Sequence, residues 1–253
     1  ASGLIVYGGV AQPRLAGDMG VGRQSGDLRQ VRGARFPTPR LGTQKRLETG
    51  LPTLDAATEG GLPQGAITEL TSPNPSAGSA LLLYQLLDAA AVERYFLALI
   101  DGRDSFDPCA FRGLGDQRLR HLLWLRCDHA LEAIKAADLL LRDGNFPLVV
   151  LDLVLNSTQE LRKIPATSWY RLQRLVEAAP TAFLVLTRRS IVSSAQWKLE
   201  LENSWQLSDL EQNHQHARMH IQSQRVPGTR HPLAARAQGV PRMNRRIFSR
   251  QRP

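Results

Sequence analysis

The sequence predicts an α/β fold, in which a parallel sheet is flanked by helices and carries antiparallel strands at its edge. Two observations predict this class. Through the middle of the chain, short apolar runs alternate with longer segments of helical period, which is typical of βα units. In residues 198–206 and 219–224, apolar and polar residues alternate with period two, which is typical of strands with one buried face.

Each element in the middle of the chain has its own local signal. Residues 79–93 are apolar nearly all round, which predicts a buried helix. Residues 147–151 form a continuous apolar run that ends on Asp152, as expected of a central parallel strand. The predicted strands are 67–70, 95–100, 122–125, 147–151, 182–187, 198–206 and 219–224, and the predicted helices are 79–93, 129–142 and 169–179. The side of helix 129–142 that faces the sheet is predicted to consist of Leu131, Ile134, Ala137, Leu140 and Leu141.

Charge divides the chain into three parts. The net charge is +9, yet residues 47–217 contain more acidic than basic residues, and residues 218–253 contain nine arginines and no acidic residue. We therefore predict a basic, flexible N-terminal arm over 1–46, a core domain over 47–225 and an arginine-rich, disordered tail over 226–253. Such arms bind nucleic acid or an acidic partner protein, and the alternative is that they are solvated tails without a dedicated ligand.

Several classes of protein are excluded by what the sequence lacks. No apolar run is long enough to cross a bilayer, and residues 1–10 lack the basic start of a signal peptide, so we expect a cytoplasmic protein without a membrane partner. Cys109 and Cys127 are isolated and are expected to be buried small hydrophobes. His214, His216 and His220 lie close together without an acidic or cysteine partner at a metal-binding spacing, so no metal site is predicted.

Residues 72–79 lie between a predicted strand and a predicted helix, where a phosphate-binding loop would stand. Such a loop reads GxxxxGK[ST], and its lysine neutralises the terminal phosphates while its hydroxyl holds magnesium. Here Ser72 and Ala77 replace the two glycines, Gly78 replaces the lysine, and only Ser79 fits its position. A shift of one residue restores a glycine but puts Ser79 at the lysine position. We therefore predict a vestigial nucleotide site of Ser72, Ala77, Gly78, Ser79 and Asp152, without a catalytic residue or a required cofactor, and with ATP binding left open.

Four separate segments resemble RecA-type recombinases in order and spacing over about residues 47–190. The first two are Thr-Gly-Leu-Pro-Thr-Leu-Asp at 49–55 and Gly-Gly-Leu-Pro-Gln-Gly with Ile-Thr-Glu-Leu at 60–70. The third is Leu-Ile-Asp at 99–101 followed by Phe-Asp-Pro at 106–108, and the fourth is Leu-Val-Val-Leu-Asp at 148–152. The resemblance implies a RecA-like fold, in which the aspartate that ends the fourth segment orients the magnesium shell.

The chain departs from that family at the positions that perform its chemistry. The family's water-polarising glutamate corresponds to Arg103, with Asp104 beside it. Long glycine-rich DNA-binding loops follow the strand at 182–187 in the family, whereas here Arg188 and Arg189 follow, with about ten residues before the next strand. These departures imply a protein that does not hydrolyse ATP. Asp101, Asp107 and Asp152 are then expected to persist as caps or as ion-pair partners of Arg103.

Among RecA-like proteins, the chain is most similar to the ImuA-type accessory protein of mutagenic translesion synthesis. The similar residues are Arg-Gly-Ala-Arg-Phe-Pro at 32–37 and Gly-Ala-Ile-Thr-Glu-Leu at 65–70, and that family also has a degraded phosphate loop. The resemblance implies an adaptor of the SOS response that binds a Y-family-like polymerase homologue, an error-prone replicative-type polymerase and RecA. The residues expected to bind partners or nucleic acid are Arg188, Arg189, Arg242, Arg245, Arg246, Phe248, Arg250 and Arg252.

Three other functions stay open. Backbone amides and Ser79 could hold a nucleotide in a regulatory ATPase, with Arg103 supplying charge. The arginine-rich arms could bind single-stranded DNA directly, with Phe36 and Phe248 as the stacking residues. A RecA-related cell-division inhibitor is the third alternative. The tryptophans are expected to be packing residues; they are Trp124, Trp169, Trp197 and Trp205.

Overall fold

A central sheet of eight strands forms the core of the computed structural model, which describes residues 4–6, 45–74, 78–111, 118–202 and 220–224. The strands of the whole structure are β1 (Leu4–Val6), β2 (Arg46–Leu47), β3 (Leu62–Pro63), β4 (Ala66–Thr71), β5 (Leu97–Asp101), β6 (Leu122–Arg126), β7 (Leu148–Asp152), β8 (Ala182–Thr187), β9 (Trp197–Leu201) and β10 (Ile221–Gln224). The helices are α1 (Pro52–Ala57), α2 (Ser79–Val92), α3 (Ala130–Asp143), α4 (Thr158–Arg162) and α5 (Ala166–Glu177).

The strand order in the large sheet is β1-β6-β5-β7-β8-β4-β9-β10. The six strands from β6 to β9 run parallel to their neighbours, whereas β1 and β10 pair antiparallel at the two edges. A separate two-stranded antiparallel sheet joins β2 to β3. The predicted α/β class, with a parallel sheet flanked by helices and antiparallel edge strands, is therefore confirmed.

The central strands are apolar throughout because both faces of the sheet are covered. In β5, Leu97 and Leu99 contact the core beneath α2, whereas Ala98 and Ile100 contact the core beneath α3 and α5. The strands β7 and β8 divide their side chains in the same alternating way. This burial on two faces explains why each strand reads as a continuous apolar run.

The sheet edges differ from the prediction in two respects. The strand predicted at 198–206 was expected to be antiparallel, but β9 runs parallel to β4 and only its partner β10 is antiparallel. An alternating pattern reports which face is buried and carries no information on strand direction, which explains the error. The edge strand β1 was not predicted, because it lies within the N-terminal segment assigned to the arm.

Three other expectations for individual elements are corrected. Leu131 was placed on the inner side of α3, but 41% of its surface is exposed. The helix predicted at 79–93 buries one side only, and Val92 at its end is 70% exposed. Cys109 is exposed, whereas Cys127 is buried as expected.

Candidate functional site

The candidate site lies at the edge of the sheet where the parallel strands end, because ligands of open α/β sheets bind outside the carboxyl ends of the strands. Asp101 ends β5 and Asp152 ends β7, and their Cα atoms are partners in the ladder. Thr71 ends β4 opposite Thr187 at the end of β8. The sequence thus brings two carboxylates and the loop after β4 to one edge.

The loop after β4 joins the sheet before it enters α2. The Ser72 N–H donates to the Thr187 carbonyl at 2.7 Å, and Ser72 is buried. Gly78 has φ 98°, a left-handed conformation, and Ser79 begins the helix directly after it. A lysine in place of Gly78 would be strained there, because side chains disfavour positive φ. Ala77, the remaining predicted residue of this loop, lies outside the described residues.

Asp101 is the most heavily hydrogen-bonded group of this edge. Its carboxylate accepts bonds from the N–H groups of Ser105 and Phe106, both at 2.7 Å, and from the Arg103 N–H at 3.3 Å. It also accepts from the Ser105 hydroxyl at 3.2 Å and from the indole N–H of Trp124 at 3.4 Å. The residue is 1% exposed. Asp101 therefore caps the turn that follows β5, as does Asp107 for the short 3₁₀ helix after it, through the Cys109 N–H at 2.8 Å.

The side chains of Arg103 and Asp104 bind partners other than this carboxylate. The Arg103 guanidinium pairs with Glu160 at 3.3 Å and donates to the Asp128 carbonyl at 3.3 Å, so the expected ion pair of Arg103 with a strand-end aspartate is not formed. Asp104 instead pairs with Arg126, whose guanidinium also lies over the Trp124 ring. The hydrogen bond from Arg126 holds the pKa of Asp104 below its usual value, and that pair stays charged at neutral pH.

Asp152 differs from Asp101 because its carboxylate accepts a single hydrogen bond from the described residues, from the Val154 N–H at 2.9 Å. Burial raises its pKa to about 6, and the negative charge of Asp101 adds to the shift. The turn after β5 (the Asp101 corner, residues 101–106) and the turn after β7 (the Asp152 corner, residues 152–156) touch at Gly102, where a Cβ atom would lie 2.8 Å from the Asp152 carbonyl oxygen. Any residue other than glycine would therefore push the two strand ends apart.

A structural residue that sequence reasoning missed is Glu69, which is fully buried on β4. Its carboxylate accepts from the N–H groups of Ile191 at 2.6 Å and Val192 at 3.0 Å, and from the Ser190 hydroxyl at 2.8 Å. The Lys198 ammonium group also forms an ion pair with this carboxylate, with Nζ 3.3 Å from Oε2. The turn after β8 is thereby fixed to the sheet. A single acidic residue inside an apolar strand was the signal, since a buried charge requires partners.

The turn fixed by Glu69 carries the two predicted arginines Arg188 and Arg189, and both are exposed at the candidate edge. They stand directly after Thr187, whose carbonyl accepts from Ser72 in the neighbouring loop. The other predicted partner-binding residues lie outside the described part of the chain; they are Arg242, Arg245, Arg246, Phe248, Arg250 and Arg252.

The remaining predictions concern packing and exclusion. Trp124, Trp169 and Trp197 are each at most 5% exposed, so they are packing residues, while Trp205 is not described. Among the described residues, no three His, Cys, Asp or Glu side chains gather as a metal site. No helix in the same part of the chain is long and apolar enough to span a membrane.

Comparison with known proteins shows where the chain is similar to them. Residues 40–162 match the family model of the RecA N-terminal domain. Protein RecA of Acinetobacter baylyi is 36% identical over 109 residues, which are 43% of this chain and 31% of that protein. Protein RecA of Leifsonia xyli subsp. xyli is 35% identical over 121 residues, 46% of this chain and 33% of that protein.

A plant protein gives a similar result. The chloroplastic DNA repair protein recA homolog 1 of Arabidopsis thaliana is 30% identical over 106 residues, 42% of this chain and 24% of that protein. The chain therefore spans about a third or less of the length of the relatives it matches. The matched region contains the loop after β4, the Asp101 corner and the Asp152 corner.

Proposed function

We propose, on the premise that the chain is RecA-like in its fold and in residues 40–162, that it is an adaptor of the bacterial DNA-damage response that does not hydrolyse ATP. In this proposal the protein supports mutagenic translesion synthesis by binding polymerase-type partners, and RecA or DNA as well. The observation that carries the proposal is the state of the sheet edge, where the carboxylate of Asp101 is taken up by five hydrogen bonds.

The chemistry of this edge argues against hydrolysis. A water-polarising group must accept a proton or a hydrogen bond, and the guanidinium of Arg103 can only donate. Neither Gly78 nor Ser79 carries the positive charge that a transferred phosphoryl group requires. Loss of both functions lowers the rate by roughly 10³-fold or more.

The adaptor role is supported by similarity and by charge. The matched relatives are RecA proteins and a DNA repair protein of the RecA type. The polymerase-type partners and the SOS context come from the resemblance to the ImuA-type protein at 32–37 and 65–70. The nine arginines in residues 218–253 give the chain a cationic segment that would bind acidic protein surfaces or phosphates.

Two measurements test this proposal. Phosphate release from ATP by the full chain, with magnesium and single-stranded DNA, is expected to equal the protein-free blank. Magnesium-dependent hydrolysis that disappears in Asp152→Ala would contradict the proposal. Co-purification with the polymerase homologue, the replicative-type polymerase and RecA of the same bacterium is expected to recover at least one partner. Truncation of residues 226–253 is expected to weaken that binding, and recovery of none would refute the adaptor role.

A nucleotide sensor is a second candidate, and the state of Asp152 favours it. One hydrogen bond leaves carboxylate oxygen capacity at the position where RecA-type proteins orient magnesium, and Ser79 supplies a hydroxyl at the start of α2. A bound nucleotide would bring the phosphates and magnesium that these two residues fit. Micromolar binding of a fluorescent ATP analogue that requires magnesium would support the sensor. No binding at millimolar nucleotide would exclude the sensor and leave the adaptor as the remaining candidate function.

A further inference from the structure

A groove of about 320 Å³ runs between α3 and α5, on the face of the sheet opposite α2. Ile134 and Leu172 form its floor, and both are almost completely buried. Leu139 stands on its rim with 67% of its surface exposed. The groove thus has an apolar floor and an apolar edge, and it lies outside the candidate site described above.

The apolar edge continues along α3. Leu131 lies two helical turns before Leu139 on the same side of the helix and is 41% exposed. Eight residues of helix span roughly 12 Å. One exposed leucine is ordinary on a protein surface, but two on one side of a helix beside a groove lengthen the apolar edge against which a helix of a partner could pack.

The charges around the groove are mainly positive. Asp138 accepts hydrogen bonds from Arg171 at 2.7 and 3.1 Å and from Arg142 at 2.8 Å, so its charge is already matched. Burial alone would raise the pKa of Asp138, but the bonds from the two arginines lower it below its usual value. Lys135 is exposed and forms no ion pair with any described residue. Three cations therefore surround one carboxylate.

We propose that the α3–α5 groove docks an amphipathic helix of a partner protein that carries large apolar side chains on one face and acidic side chains beside them. The basic segment 218–253 is a poor occupant, because its arginines would meet Lys135, Arg142 and Arg171. The proposal goes beyond the adaptor role and is independent of the fate of ATP, since it depends only on the shape and charge of this groove.

The test starts from a phage-displayed library of random peptides of about 16 residues, roughly 24 Å long as helices. The full chain is the bait, and Leu139→Glu is used for counter-selection. Enriched peptides are expected to have apolar residues three and four apart and a net negative charge. A labelled consensus peptide is expected to bind the full chain in fluorescence anisotropy, and about tenfold more weakly after Lys135→Glu or after charge inversion of the peptide. Val92→Glu, an exposed apolar position outside the groove, is the matched control and is expected to bind normally.

Four outcomes would overturn the proposal. The first is the absence of enrichment, and the second is enrichment of basic or uncharged peptides. The third concerns residues 203–211 of the chain itself, which contain Trp205, Leu207 and Leu210 with Asp209 and Glu211. If replacement of the three apolar residues by serine tightens peptide binding about tenfold, the occupant is this segment. The fourth is sedimentation that shows a dimer dissociated by Leu139→Glu, which would make the groove a contact between two copies.

Discussion

Asp101 and Asp152 are the same residue type at neighbouring strand ends, yet their carboxylates differ in the number of hydrogen bonds that they accept. They are partners in the β5–β7 ladder and both face the carboxyl edge of the sheet. Asp101 accepts five hydrogen bonds, whereas Asp152 accepts one from the described residues. The difference arises in the turns that follow. After Asp101 the chain turns back at Asp104, with φ 53°, and directs its N–H groups onto the carboxylate.

After Asp152 the chain stays with the sheet for one more residue. The Leu153 N–H donates to the Leu186 carbonyl of β8, so among the described residues only the Val154 N–H reaches the carboxylate. A strand-end aspartate thus becomes a structural cap or stays available to a ligand according to the backbone that follows it. The comparison teaches that residue type at a motif position does not by itself define a site.

The largest expected effect is the loss of the Asp101 cap. Asp101→Ala leaves several donors of the turn and the Trp124 indole unpaired, and we expect it to lower the free energy of unfolding by about 4 kcal/mol. Asp152→Ala should cost less than about 1 kcal/mol below pH 4, where the carboxyl group is protonated and the substitution removes only its one hydrogen bond. Urea unfolding followed by circular dichroism measures both values. Equal losses in the two variants would remove the distinction between a cap and an available carboxylate.

Glu69 extends the comparison to a third carboxylate, which is fully buried and should behave like Asp101. Glu69→Gln places an amide N–H₂ group among the donors of Ser190, Ile191 and Val192, and removes the partner charge of Lys198. We expect a loss of about 3 kcal/mol in the free energy of unfolding and faster amide exchange at 188–192. Lys198→Met is the control, and it should leave the exchange at 191 and 192 slow. Unchanged exchange in Glu69→Gln would mean that the turn is held by other contacts.

The sequence predicted the centre of the sheet better than its edge and its buried charges. The strand β8 was predicted with its observed bounds, because burial on both faces produces an unbroken apolar run. The helix α4, which lies between Asp152 and α5, was missed, since its five residues include no buried side chain and hence no period. Leu131 was misassigned because helical period places it on the same side of α3 as the inward-facing residues. Which part of that side is covered depends on the neighbouring helix, which the sequence pattern does not give.

The candidate site was predictable in position and only partly in chemistry. Strand-end aspartates can be recognised from sequence, and their role as caps was expected for Asp101 and Asp107. The ion-pair partner of Arg103 was not predicted, because Glu160 is 57 residues away along the chain. The five donors of Asp101 include Trp124 from the next strand, and such pairing depends on the sheet register that only the folded chain provides.

The pH dependence of stability tests the state of Asp152. Its folded pKa, about 6, lies above the ordinary value, so the folded state holds the proton more tightly than the unfolded state. The contribution of Asp152 to the free energy of unfolding is therefore fully present below pH 4 and is lost as the pH rises to about 6. Asp152→Asn removes that loss, and above pH 7 we expect it to be about 2 kcal/mol more stable than the native chain.

The control for that experiment is Asp104→Asn, with the free energy of unfolding again measured in urea from pH 3 to 8. The pKa of Asp104 is lowered by the hydrogen bond from Arg126, so its contribution is present at neutral pH and is lost as the pH falls through the folded pKa. The two variants should therefore diverge from the native chain in opposite directions as the pH rises. The same direction in both would refute the assignment of Asp152 as a carboxyl group whose pKa is raised by burial.

The smallest expected effect is that of the Arg103–Glu160 ion pair, at the rim of the Asp101 corner. The Arg103 side chain is 52% exposed, and exposed pairs contribute less than about 0.5 kcal/mol. Because Asn156 also donates to Glu160, at 3.0 Å, a single Glu160→Gln substitution would mix two interactions. A double-mutant cycle with Arg103→Gln isolates the pair, and its coupling energy should vanish in about 1 M salt. A coupling above about 1 kcal/mol that survives salt would mean that the Arg103 side chain is part of the cap, as its backbone N–H is, and the contrast between a closed Asp101 corner and its solvated rim would no longer hold.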